Sequence, residues 1–474
     1  MRFPIEKRLC TPALMACVFG MTCLPAAAGG FNKRLDYSVS FSPSSIVVGD
    51  FNQDHKADVA ALDFYGHVGI LLGNGDGTLQ TDVEYGTGYG SIDMLKLDFN
   101  RDGKIDLITL NDGSDQCFGS ITLLPGTGNG TFPKHKDLAV QRGLCSSSMT
   151  AADLNHDGKM DLAVADQIGV SVLLGNGSGI FHDFYDYPVG DPTSGGGQVA
   201  AGDLNGDGYQ DLAVTWTTPP YNNDRISILL GNGDGSFGPP ADLATGLTLS
   251  SLLAADFNGD GHLDLAAGSC VRVSVCKNGL ASIFLGNGDG IFQPHVDYAV
   301  GVLPGRLVAG DVNQDGQVDL VAANYVGGAV HVLLGNGDGT FQPPATYQTS
   351  SAGGLAIGDM NGDGSPDLVT SGSVLLNTGG TWLSATSSPN PSAVGDPVTL
   401  TITVTGSVQT GTVPGGKVIF LDGKTALGNA LLTNGQASLT TSTLSEGTHL
   451  IRAKYLGDTS FNPHTSQPIL QAVQ

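Results

Sequence analysis

A nine-residue motif, Asp-x-Asn-x-Asp-Gly-x-x-Asp, recurs seven times along the chain, beginning at Asp50, Asp98, Asp153, Asp203, Asp256, Asp311 and Asp359. Successive copies lie 48 to 55 residues apart. Self-similarity at such a period marks an array of equivalent supersecondary units rather than one irregular core. A second motif follows each first. It reads Leu-Leu-Gly-Asn-Gly-Asp-Gly-Thr-Leu from Leu71 to Leu79, with close copies ending at Phe181, Phe237, Phe292 and Phe341. The copy from Leu124 to Phe132 is looser, and the one from Leu375 to Trp382 is degenerate. Short apolar runs such as Leu162-Ala163-Val164 follow the carboxylate motifs. No window carries a helical stripe bounded by caps. Each unit therefore reads as four short strands, one propeller blade, and the chain as an all-β, seven-bladed β-propeller.

The ends of the array predict how it closes. The fourth strand carries an aromatic residue or Leu, an acid five residues later, then Tyr or Leu, as in Phe181-Asp186-Tyr187 and Phe292-Asp297-Tyr298. Seven first strands are present but only six internal fourth strands. The missing copy stands near the N-terminus as Phe31-Asp36-Tyr37. That strand is expected to complete the seventh blade and remove the open sheet edges.

These residues resemble the FG-GAP/VCBS-type repeats of integrin alpha-subunit propellers and of many bacterial exported proteins. The resemblance spans roughly residues 31 to 382. It implies a propeller and says little about activity, since propellers host many functions.

The carboxylate motif has the chemistry of a calcium loop. Ca²⁺ takes six to eight hard oxygens, and glycine at position six lets the loop curl through positive φ. The expected ligands are Asp50, Asn52, Asp54 and Asp58 in the first loop, with the carbonyl of Lys56. They are Asp98, Asn100, Asp102 and Asp106 in the second, and Asp153, Asn155, Asp157 and Asp161 in the third. Asp203, Asn205, Asp207 and Asp211 form the fourth set, and Asp256, Asn258, Asp260 and Asp264 the fifth. Asp311, Asn313, Asp315 and Asp319 form the sixth, and Asp359, Asn361, Asp363 and Asp367 the seventh. Up to seven structural Ca²⁺ ions are expected. Mg²⁺ suits the site less, because it keeps its waters in a small octahedral shell. The alternative is that these Asp residues are solvated turn formers. An EF-hand or dockerin is excluded, because position twelve is never acidic and the motif runs into strand sequence. Two loops depart from the pattern: His55 replaces glycine at position six, and Pro366 occupies position eight. His55 disfavours positive φ and Pro366 lacks an N–H; weaker or altered metal binding is expected at the first site.

The motifs also locate the charge. The formal net charge is −24, with 45 acidic and 21 basic residues. The seven motifs hold 21 of those acids. Such acidity argues against nucleic acid or anionic membrane as the partner.

The N-terminus reads as a secretory signal over residues 1–28, with Arg2, Lys7 and Arg8 ahead of an apolar run and Ala26-Ala27-Ala28 at the cleavage site. Lipidation at Cys17 or Cys23 is the alternative. No later stretch is apolar enough for a transmembrane helix. A secreted protein is expected, extracellular or periplasmic, or held at the cell surface. The four remaining cysteines suit disulfides. Propeller loop geometry pairs Cys117 with Cys145 and Cys270 with Cys276.

Residues 29–382 form the expected propeller and 383–396, rich in Ser and Pro, a linker. Residues 397–474 alternate as half-buried strands, with Val398, Leu400, Ile402 and Val404 on one side. This charge-neutral segment reads as a β-sandwich. It resembles bacterial Ig-like repeat domains in Ser388-Pro389-Asn390-Pro391, Gly416-Lys417-Val418-Ile419-Phe420 and Ala453-Lys454-Tyr455-Leu456-Gly457-Asp458. The resemblance implies spacing or adhesion.

No Gly-x-Ser-x-Gly elbow or His-Glu-x-x-His is present, and the ten His are scattered. The expectation is a non-catalytic exported protein for adhesion or recognition of a protein or glycan ligand. A lectin-like propeller, or a polysaccharide- or phosphoester-cleaving enzyme on a propeller scaffold, are the alternatives. The face opposite the metal loops is the expected binding surface, with Trp216, Tyr221, Arg225 and Tyr325 as anchors. The competing reading is that these side chains only cap loops.

Overall fold

The computed structural model describes residues 30–31, 33–112, 119–139, 147–166, 169–190, 195–217, 224–270, 278–377, 381–406, 413–458, 464–466 and 468–474. The expected signal segment, Tyr221, Cys117, Cys145 and Cys276 lie outside them. Among the described residues there is no α-helix, and none is long and apolar enough to cross a membrane.

Seven four-stranded antiparallel sheets follow one another along the chain. Blade 1 runs Ser45–Gly49, Asp58–Leu62, His67–Leu71 and Val83–Gly86. Blades 2 to 6 repeat this meander, starting at Ser91, Ser148, Gly195, Thr248 and Pro304. Blade 7 takes Leu355–Gly358, Asp367–Thr370 and Ser373–Leu376 from the end of the array and Lys33–Asp36 from its beginning. Lys33 stands opposite Leu376 and Asp36 opposite Ser373. The N-terminal strand thus closes the ring, as its residue pattern predicts.

The core is distributed. Seven clusters of buried apolar side chains each lie between two adjacent blades. The cluster joining blade 7 to blade 1 brings Met360, Val369, Val374 and Leu376 against Ile46, Val48, Val59 and Ala61. Second strands are buried along their whole length, as at Asp58–Leu62 and Asp161–Ala165. This explains why their sequence is a continuous apolar run rather than an alternation.

The acid of the fourth strand has a packing reason. Asp137, Asp186, Asp242, Asp297 and Asp36 each accept a hydrogen bond from a Ser or Thr hydroxyl on the third strand, at 2.6–2.8 Å. The following Tyr packs edge-on against the Phe that ends the next blade's glycine turn. The pairs are Tyr85–Phe132, Tyr187–Phe237 and Tyr298–Phe341, with ring centroids 5.8, 5.2 and 5.4 Å apart. Blade 7 has no such Phe in its degenerate turn. Phe31 takes the place, 5.3 Å from Tyr347.

The C-terminal sandwich has a three-stranded sheet (Thr381–Ser388, Val398–Gly406, Gln436–Thr441) facing one built on Lys417–Asp422, Thr425–Leu431, Gly447–Tyr455, His464–Thr465 and Ile469–Val473. Much of the segment expected as linker is strand: Thr381–Ser388 pairs with Val398–Gly406 over eight residues. Leu383 and Ala385 pack against the sandwich core, and the intervening Ser and Thr positions gave the segment its linker-like composition. The strand is therefore half-buried, with a polar outer side.

Candidate functional sites on the two faces of the propeller

Each carboxylate loop joins a first strand to a second, and all seven use one hydrogen-bond scheme. In the first loop the Asp54 N–H donates to Asp50 Oδ1 and to Asn52 Oδ1, both at 3.0 Å. The His55 N–H donates to Asp50 Oδ2 at 2.9 Å and the Lys56 N–H to Asp54 Oδ1 at 3.0 Å. Asp203, Asn205 and Asp207 repeat the pattern in blade 4. Two positions take positive φ, position four and position six. Position six is glycine in six of the seven loops, and position four is Gln53, Arg101, His156 or Gln314 in four of the seven, with φ of 57–61°.

The expected obstacles in the first and seventh loops do not alter this geometry. His55 adopts φ 66° and donates to Asp50 as glycine does elsewhere, since the carboxylate bonds hold the turn. Pro366 sits at position eight, and the Asp363, Gly364 and Ser365 N–H bonds form around it as in the other loops.

The ninth residue differs from the rest. Asp58, Asp106, Asp161, Asp211, Asp264, Asp319 and Asp367 are fully buried. Asp211 accepts from the Leu204 N–H at 2.9 Å and from the Gly231 N–H at 2.7 Å. Asp58 does the same with Phe51 and Gly73. This residue ties the carboxylate loop to the glycine turn of its own blade. Burial pushes these carboxyls up, the neighbouring carboxylates add to the rise, and the two N–H donors oppose it. Asp106 rises to about 6, Asp319 to about 7 and Asp367 to about 8.

The donor set is chemically right for a hard divalent cation: three carboxylates and an amide oxygen within nine residues. Asp50 Oδ1 and Asn52 Oδ1 share one N–H donor. Each carboxylate oxygen that accepts one backbone bond keeps further lone-pair capacity. Among the described residues, no three acidic, imidazole or thiol side chains are yet drawn together as a metal cluster. Local donors occupy the fifth residue instead. Lys56, Lys104 and Lys159 ammonium groups lie 3.5, 3.4 and 2.7 Å from Asp54, Asp102 and Asp157. In blades 4 to 7 the Asn of position three donates its amide to the same carboxylate, as Asn205 does to Asp207 at 2.9 Å.

The opposite face carries the loops between second and third strands and the connections between blades. All seven blades converge there on a cavity of about 350 Å³ at the mouth of the central channel, lined by Ser44, Phe64, Ser91, Ile92, Ser147, Gln198, Ser250, Gly305, Arg306, Tyr325 and Gly353. Arg306 crosses from blade 6 to pair with Asp93 of blade 2 at 2.7 Å and to donate to Ser45 of blade 1 at 3.0 Å.

The expected anchors separate here. Tyr325 is 63% exposed and lines the cavity. Trp216 is buried in the blade 3–blade 4 core, its Nε1–H donating to Ser227 Oγ at 2.7 Å, so it is a packing residue and not an anchor. Arg225 lies over the Trp216 ring at 5.9 Å and beside Asp242 at 3.8 Å. Cys270 is buried and disulfide-bonded, and its expected partner Cys276 lies outside the described residues. Sequence reasoning missed Phe64, Tyr65 and Tyr89. All three are exposed and packed together, with centroids 6.1, 5.6 and 6.3 Å apart. Their signal was three aromatics within 26 residues, all in positions that the blade pattern assigns to loops.

Comparison with known proteins bears on the fold. The solved structure of an Agrocybe aegerita lectin, described as recognising non-reducing terminal N-acetylglucosamine, is 18% identical over 65% of this chain and 81% of its own, with a TM-score of 0.44. The WD40 domain of Toxoplasma gondii coronin is 13% identical over 72% and 84%, with a TM-score of 0.42. The extracellular domain of a putative one-component system from B. thetaiotaomicron is 10% identical over 93% and 58%, with a TM-score of 0.39. No curated protein matches the chain. A bacterial Ig-like domain (group 3) model matches residues 385–474. The FG-GAP-like repeat model matches residues 50–109, 98–164, 153–214, 214–267 and 311–370, more than half of the chain. With its seven meander blades, the chain belongs to the FG-GAP-like repeat family.

Proposed function

We propose that this is an exported, non-catalytic recognition protein, with Ca²⁺ held in the carboxylate loops and ligand taken at the opposite face of the ring. The observation that carries the binding face is the channel-mouth cavity with exposed aromatic side chains on its rim. Concave sites that mix aromatic surface with a few polar groups are the usual form of a ligand site. The described lining contains no carboxylate, imidazole or thiol. A glycosidase-type reaction needs two carboxyl groups flanking the scissile bond, and a hydrolytic triad needs a base beside its nucleophile. The lining, with aromatic and hydroxyl side chains, is suited to holding a ligand by stacking and hydrogen bonds.

For the metal, the first, third, fifth and ninth residues of each loop supply oxygens, with the seventh carbonyl. When bound, the cation would neutralise clustered carboxylates and hold the loop closed. The loops sit on the face remote from the cavity, which suits a structural ion. Extracellular calcium modules bind at roughly 10⁻⁴–10⁻³ M, so exported protein would be filled without a dedicated supply. Thermal melting with and without chelator tests this. Chelation is expected to lower Tm by several degrees, with recovery on adding Ca²⁺ but less on adding Mg²⁺. An unchanged Tm would overturn the calcium reading and leave the solvated-turn alternative.

A further inference from the structure

We infer that the channel mouth is a site for a neutral glycan, with sugar rings stacked on Phe64, Tyr89 and Tyr325 and sugar hydroxyls met by the polar floor. This rests on the reading of that face as the binding surface.

The rim is built in advance. Phe64, Tyr65 and Tyr89 are 45%, 67% and 52% exposed, yet their backbones are fixed. The Gly90 N–H donates to the Phe64 carbonyl at 2.9 Å and the Thr87 N–H to the Gly66 carbonyl at 2.8 Å. Gly66 has φ +90°, and a Cβ there would stand 2.6 Å from the Gly88 carbonyl oxygen, so only glycine allows this loop to dock on the next connection. Across the mouth the Tyr325 N–H donates to the Leu303 carbonyl at 3.0 Å. The Tyr325 ring lies on Gly305, where a Cβ would come within 2.2 Å of it. Rigid aromatics exposed on a braced loop lose little entropy on binding.

The floor selects the class. Arg306 is the one cation among the described lining residues, and Asp93 already compensates it at 2.7 Å. A charged ligand therefore finds no unpaired partner, and the acidity of the whole chain repels polyanions at long range. The Ser44 hydroxyl donates to the Leu62 carbonyl at 3.2 Å. Those of Ser147 and Ser250 donate to the Gly197 and Pro304 carbonyls. With their protons committed, these oxygens are left as acceptors. A ligand with apolar ring faces for the aromatics and many hydroxyl donors for the floor has the chemistry of a neutral pyranose chain. A peptide would bring fewer donors and its own charges.

The test uses the full chain on an array of neutral oligosaccharides, uronic-acid oligosaccharides and immobilised matrix proteins, followed by calorimetry on the best hit. Neutral glycans are expected to bind. Phe64→Ala with Tyr89→Ala, and separately Tyr325→Ala, should each weaken binding at least tenfold with Tm unchanged. Tyr185→Ala, another exposed aromatic away from the mouth, should leave affinity within twofold. Binding only to proteins or acidic glycans, lost in the mouth variants, would overturn the glycan class and keep the face. Glycan binding indifferent to the mouth variants would overturn the site itself. No binding in any class would overturn both. If an alanine variant melts early, Phe64→Leu and Tyr325→Leu replace it, since they keep apolar volume and remove the stacking face.

Discussion

At the scale of single residues, the ninth Asp of each loop shows two demands converging on one side chain. A cation there needs a carboxylate, and so do the two backbone N–H groups that Asp211 satisfies from Leu204 and Gly231. Both roles ask for the same residue at the same spacing, so the sequence pattern assigned it to metal alone. The roles separate by experiment. Asp211→Ala leaves two buried donors unpaired at about 1–3 kcal/mol each, so it should lose about 2–6 kcal/mol in urea unfolding with chelator present. Asp203→Ala, at the rim of the same loop, should cost less without metal and abolish the local gain from Ca²⁺. If Asp211→Ala costs nothing in chelator, the buried carboxylate is only a ligand. Position four was illegible for a different reason. Gly206, Gly259 and Gly362 hint at its positive φ, but Gln53, Arg101, His156 and Gln314 hide it. There the loop's carboxylate bonds, not the residue type, fix the backbone.

At the scale of elements, the N-terminal segment does more than add a strand. Lys33–Asp36 completes the sheet of blade 7, and Phe31 fills the aromatic place left by the degenerate seventh turn. Phe31 is 3% exposed in the cluster between blades 6 and 7. Phe31→Ala should therefore cost about 3–5 kcal/mol, measured as a shift in the urea midpoint without change in slope. A loss below about 1 kcal/mol would mean that the closure needs only the strand. The closing strand was legible because its Phe-Asp-Tyr spacing copies the internal fourth strands. What that spacing accomplishes was not, because its partners stand at the far end of the sequence array: Ser373 hydroxyl to Asp36 within blade 7, and the Tyr347 ring of blade 6 to Phe31. Residues 383–388 of the strand Thr381–Ser388 look like linker in the sequence for a related reason. Its inward residues, Leu383 and Ala385, are too few and small to stand out from the surrounding Ser and Thr.

At the scale of the whole molecule, the ring is self-contained. Every interface between blades has its own apolar cluster, and no strand of the sandwich enters a blade sheet. The sandwich has a separate core around Leu400, Ile402, Phe420 and Tyr455. Where the two meet, Arg452 donates to the Gly362 carbonyl of the seventh loop at 2.8 Å, beside a cavity of about 580 Å³. An exposed hydrogen bond of this kind is worth about 0.5–1.5 kcal/mol, little against the cooperative closure of seven interfaces. A chain ending at Asn377 should therefore still unfold in one transition, within about 3 °C of the propeller transition in the full chain. Its response to chelator should also persist, because all seven carboxylate loops precede that point and the sandwich segment contributes no net charge. Calorimetry of the two chains distinguishes the possibilities. A broad or early transition in the shorter chain would mean that the sandwich braces the seventh loop and, through it, the joint where the two ends of the array meet. A sharp transition that has lost its chelator response would place the metal dependence at the contact between ring and sandwich, not in the loops themselves.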